Sequence, residues 1–187
     1  MNQDMKKIIQ NYGLIVAGIG ILYTAIAYLT GNPGLFTIWY LGLSVGLLGI
    51  VIEVIGVTKY KASQGGFMSF KEGFTVYFMI ALVATLVSTL FSLLIFNVVD
   101  PEFAELVNNE ILETTISRME GFGTPEEVIK QTMEQMEESG GQFTAANQLK
   151  SMAYAMIFNA VVGLIVAAFT KKARPLVMDD EETTAEA

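Results

Sequence analysis

The sequence predicts an all-α fold: a four-transmembrane-helix bundle with an extracytoplasmic amphipathic helical hairpin between spans three and four. Three observations lead there. Of the 187 residues, 52% are hydrophobic and only 16% are charged, well short of the roughly one quarter charged in an average soluble domain. The charges are gathered between long apolar runs, and four of these runs approach the ~20 residues a helix needs to cross a bilayer. The basic residues concentrate in the segments on one side of those runs.

The elements follow in order. Residues 1–11 are polar and carry Lys6 and Lys7, whereas residues 12–29 have no charge and form the first span. Ala25-Ile26-Ala27 resembles a cleavage site, but the apolar run exceeds the ~7 to 15 residues of a signal-peptide core, so the span is the preferred reading. Thr30-Gly31-Asn32-Pro33-Gly34 is dense in turn formers and predicts a tight connection. The second span, residues 35–57, is apolar apart from Glu53, with Trp39 and Tyr40 suited to a membrane interface. Gly42 and Gly46 have GxxxG spacing and predict close helix packing within the bundle, with dimerisation as the alternative.

Residues 58–74 form a basic elbow carrying Lys59, Lys61 and Lys71. Gly65 and Gly66 permit its turn, and Phe67, Met68 and Phe70 are expected to dip into the interface. Ser69 is the predicted N-cap of the next helix, and Glu72, three residues on, completes a capping box. The third span, residues 74–99, carries no charge.

Asp100 as N-cap and Pro101 at the first helical position then start a new helix. Its apolar residues, among them Phe103, Leu106, Val107 and Ile111, fall largely on one side as far as Glu120. Gly121-Phe122-Gly123 breaks it. Thr124 and Glu127 have capping-box spacing before a second short helix, which Gly140-Gly141 ends. Together, residues 100–150 are an extracytoplasmic acidic helical hairpin. The last helix starts near Thr144, its membrane part is residues 151–170, and Lys171, Lys172 and Arg174 follow. Residues 175–187 read as a disordered acidic tail.

Four spans put the N-terminus, the elbow and the C-terminus on one side. That side holds Lys6, Lys7, Lys59, Lys61, Lys71, Lys171, Lys172 and Arg174, eight of the eleven basic residues. Because Lys and Arg near span ends stay inside, both termini are expected in the cytoplasm of a multi-pass protein of the cytoplasmic (inner) membrane.

The chain has no Cys and no His, which removes thiol nucleophiles, Ser-His-Asp triads, disulfides and imidazole metal sites. A net charge of −8 argues against nucleic-acid binding. The hairpin's eleven carboxylates include no calcium-loop spacing, and no phosphate-binding motif is present. No cofactor, no metal site and no enzymatic activity are expected; a membrane enzyme would have to rely on carboxylates, Lys and hydroxyls alone.

What remains is a candidate intramembrane polar site formed by Glu53, Ser88 and Asn159. An ionisable residue inside a span is costly, so a functional role is one reading of Glu53. The preferred reading is an interfacial pair with Lys59 or Lys61, since Val57 would end the span about 6 Å further on. Thr85, Ser88, Thr89 and Ser92 recur at i, i+3, i+4 and i+7 and form one stripe facing a neighbouring helix. Asn159 is expected to bond another helix, with that stripe as one partner. The hairpin's apolar faces must be covered by each other, by the membrane surface or by a partner.

The segment Gln64-Gly65-Gly66-Phe67-Met68-Ser69-Phe70-Lys71-Glu72-Gly73-Phe74, with Thr124-Pro125-Glu126-Glu127 and Lys171-Lys172, resembles the bacterial domain-of-unknown-function family 4199. The resemblance covers about residues 6–174 and implies a small integral membrane protein. It implies no activity and no catalytic residue.

The leading functional expectation is a structural or partner-binding membrane component. Besides the lipid bilayer, its partners would be a membrane or extracytoplasmic protein at the hairpin, or a second copy of the chain. The alternative is a small ion-coupled transporter or channel using Glu53 and the Thr85, Ser88, Thr89, Ser92 stripe.

Overall fold

The computed structural model describes residues 1–173. Arg174 and the tail expected to be disordered, residues 175–187, lie outside the described residues. Among the described residues six α-helices run in order: α1 (Gln3–Leu29), α2 (Trp39–Ser63), α3 (Phe70–Leu94), α4 (Pro101–Gly121), α5 (Glu126–Glu138) and α6 (Ala145–Thr170). A π turn, Ile95–Val99, extends α3. Four helices are long and apolar enough to cross a membrane: α1, α2, α3 with its π turn, and α6. The chain is thus all-helical, with a helical hairpin between its third and fourth long helices.

Helix ends differ from the apolar runs because caps, not hydropathy, set them. Asn2 Oδ1 accepts from Met5 N–H at 2.8 Å, so α1 begins well before the uncharged run. The second long helix does not start at Leu35. Asn32 Oδ1 accepts from Gly34 N–H at 3.1 Å and Pro33 opens a short 3₁₀ turn, Pro33–Phe36, which delays α2 to Trp39. At its other end α2 runs on through Lys59 and Lys61 to Ser63.

The helix α3 is central, packing against α1, α2 and α6, whereas α2 meets α6 only marginally. At the elbow end the core is Met5, Ile9, Val57, Tyr60, Met68, Val76, Tyr77 and Ile80. Two glycines make this close approach possible. A Cβ on Gly163 of α6 would lie 2.9 Å from the Tyr77 ring, and one on Gly56 of α2 would lie 2.6 Å from Ile80 and 3.1 Å from Tyr12. Small residues at such crossings bring backbones together where lipid supplies no hydrophobic drive.

The elbow has the predicted cap. Glu72 N–H donates to Ser69 Oγ at 3.2 Å, and Ser69 N–H donates to Glu72 Oε2 at 2.8 Å. Gly65 and Gly66 turn the chain at φ +72° and +85°. Met68 departs from expectation. It is buried in the core rather than dipped into an interface, because its backbone pairs with the exit of α6: Met68 N–H donates to Lys172 O at 3.0 Å, and Lys172 N–H to Met68 O at 2.8 Å. Lys172 Nζ also sits 5.4 Å from the centre of the Phe67 ring.

The hairpin folds back onto the bundle. Asp100 caps α4 by accepting from Phe103 N–H at 2.9 Å, and Phe103, Ala104 and Val107 then bury against Ile95 and Phe96, with Tyr28, Phe36 and Phe143 around them. This surface, the end of the chain's own long helices, was not among the coverings expected for the apolar faces. Its rings meet edge-on or stacked, as Phe96 does with Phe103 at 6.0 Å. Thr124 does not cap α5. Pro125 occupies the cap position with extended backbone and no side-chain hydrogen bond closes it, which leaves α5 joined to the rest chiefly through α4.

Candidate functional site

The loose contact between α2 and α6 leaves a chamber in the middle of the long helices. Its volume is about 490 Å³, and Glu53, Thr85, Ser88, Thr89 and Asn159 are on its wall together with apolar side chains including Leu43, Leu47, Ile50 and Phe158. Glu53 lies ten residues before the end of α2 at Ser63, about 15 Å along the helix. The helix thus continues six residues past Val57, where the apolar run ends.

Glu53 is 4% exposed. Its carboxylate lies beside the Tyr77 hydroxyl rather than Lys59 or Lys61, so the expected interfacial ion pair is replaced by a neutral neighbour on α3. Oε2 has no hydrogen-bond partner among the described residues. Leaving a buried carboxylate oxygen unpaired is expensive, and it is the strongest sign in the molecule that something else is meant to meet this group.

The Tyr77 hydroxyl donates to Asn159 Oδ1 at 3.2 Å, and Asn159 Nδ2 donates to Ala155 O at 3.0 Å. Glu53 of α2, Tyr77 of α3 and Asn159 of α6 thereby form one polar junction across three helices. Asn159 does reach another helix, but its partner is Tyr77 and not the hydroxyl stripe. Tyr77 escaped the sequence reading because a lone Tyr in an apolar run is indistinguishable there from a core aromatic.

The stripe itself faces inward. Ser88 Oγ donates to Ala17 O of α1 at 3.4 Å. Thr85, Ser88 and Thr89 also line a second cavity of about 340 Å³, which continues past Ser92 toward Gln148, Ser151 and Phe143 beneath the hairpin. The two cavities share Gly20, Thr85, Ser88 and Thr89, and Glu53 lines the first. At the other end Val57, Tyr60, Val76, Tyr77 and Ile80, all fully buried, fill the space.

Gly42 and Gly46 do not pack within the bundle. A Cβ at either would meet nothing within 4 Å, and both line the chamber. Packing contacts on α2 fall instead at Gly49, against Val16, and at Gly56. Among the described residues no three carboxylates cluster closely enough to hold a metal.

Residues 11–172 match the family model described as a protein of unknown function, DUF4199. The chain belongs to this family, as its elbow motif implied. No curated protein and no solved structure matches the chain.

Proposed function

We propose that this is a small multi-pass transporter or channel of the cytoplasmic membrane that binds a solute at Glu53 and couples it to ion movement. One observation carries the reading: Glu53, a buried carboxylate with one oxygen unpartnered among the described residues, lines a chamber whose other polar side chains are three hydroxyls and the Asn159 amide. Intramembrane carboxylates that face a cavity mark substrate or ion pathways. The chamber raises this reading above purely structural service.

The test is flux. Purified protein in vesicles loaded with a pH-sensitive dye should collapse an imposed proton gradient faster than protein-free vesicles do. Glu53→Gln should remove at least about nine-tenths of that increment, equivalent to about 1.4 kcal/mol. Rates equal to those of empty vesicles would return the protein to the structural class.

Orientation rests on charge. Lys59, Lys61, Lys71, Lys171 and Lys172 gather at the elbow end, which favours an inside position for both termini and an outside position for the hairpin. Because the chain lacks Cys, Gln64→Cys should react with an impermeant thiol reagent only from the cytoplasmic face and Phe122→Cys only from the opposite face. A second reading, partner binding through the hairpin, is favoured by Phe122, 88% exposed, with Leu106 and Val128 also exposed.

A further inference from the structure

We propose that the Glu53 chamber takes an organic monocation with an apolar body, such as a substituted ammonium or phosphonium, reached through the gap between α2 and α6. The proposal rests on the solute-binding reading above and names the ligand class.

Charge comes first. The chamber wall carries one carboxylate and no basic side chain, so a single positive charge balances it. Hard divalent cations take 6 to 8 oxygens in the case of Ca²⁺, or keep most of their water in the case of Mg²⁺. Glu53, three hydroxyls and the Asn159 amide do not supply such a shell, and the apolar walls, Leu43, Leu47, Ile50 and Phe158, add no oxygen to it.

Those same walls suit an apolar body. A cavity of about 490 Å³ falls in the range of ligand pockets, roughly 300 to 1,000 Å³, which are mostly hydrophobic with a few placed polar groups. Leu43, Leu47 and Phe158 are also exposed on the outer surface, so the chamber opens sideways to where lipid would lie. A molecule that partitions into a bilayer can arrive by that route. Phe158 adds an aromatic face, a favourable surface for a cation.

Two rival occupants leave Glu53 unanswered. A lipid tail, or the apolar face of a helix from a second copy laid along Gly42 and Gly46, would fill the volume without pairing Oε2. An organic cation fills the volume and balances the charge of Glu53.

The experiment measures equilibrium binding of radiolabelled tetraphenylphosphonium to the full-length protein in phosphatidylglycerol nanodiscs, whose lipid carries no competing ammonium group. Protein-free nanodiscs give the background. Wild type should bind saturably at one site per chain. Benzyltrimethylammonium should compete, whereas its neutral carbon isostere, neopentylbenzene, should not. Glu53→Gln should weaken binding at least tenfold. So should Gly46→Leu, which fills open space and leaves Glu53 intact; a melting curve confirms that it folds.

Binding that is unsaturable, unchanged by both variants, or displaced equally by Na⁺ and by the neutral isostere overturns the proposal. Proton flux that requires Glu53 without any tetraphenylphosphonium binding overturns the ligand class and leaves the transport reading standing. Loss of both flux and binding overturns both.

Discussion

Both halves of α2 carry glycine, in opposite surroundings. In the half toward the elbow, Gly56, Val57 and Tyr60 are buried against α1 and α3. In the half toward the hairpin, Gly42 and Gly46 face empty space. Glycine spacing alone does not decide which half packs. The neighbours decide, since α3 and Tyr12 close on the first half while α6 stays away from the second. Glu53 sits at the boundary, close enough to the packed half to be buried and close enough to the open half to face a chamber.

Substitutions at the two glycines probe that contrast directly. Gly56→Leu should cost the most, about 1–3 kcal/mol from overpacking against Ile80 and the stiff Tyr12 ring, and should lower the melting temperature in detergent. Loss of the elbow cap in Ser69→Ala should cost about 1 kcal/mol, read from the same curve. Tyr77→Phe removes one interhelical hydrogen bond, typically worth only about 0.6 kcal/mol in membranes. Gly46→Leu should shift stability least, by less than about 0.5 kcal/mol, because its Cβ meets nothing. Equal costs at Gly56 and Gly46 would erase the distinction.

Four long helices were legible because length and hydropathy are local properties. So was the Ser69–Glu72 cap, whose partners are three residues apart. The hydroxyl stripe was legible as well, since helical periodicity fixes which side chains share a face.

What failed was helix length and partnership. The apolar run ends at Val57, but Lys59 and Lys61 are compatible with a continuing helix, because long basic stems can reach water from below the surface. Glu53 therefore lies ten residues from the end of the helix, and its neighbour is Tyr77 rather than a lysine of the elbow. The bonds from Tyr77 to Asn159 and from Met68 to Lys172 join distant segments, and no local pattern announces them. The hairpin's resting place was missed for the same reason: it needs Tyr28, Phe36 and Phe143 from three separate segments.

The central claim is that the space beside Glu53 is open to a solute and attracts positive charge. Because the chain has no Cys, Ser88→Cys on the chamber wall and Ala81→Cys in the packed core of α3 can be compared for reaction with a trimethylammonium-bearing methanethiosulfonate. The account predicts that Ser88→Cys reacts readily, that Ala81→Cys stays inert, and that adding Glu53→Gln slows the first reaction severalfold. Equal inertness at both positions, or a rate at Ser88→Cys indifferent to Glu53, would contradict it.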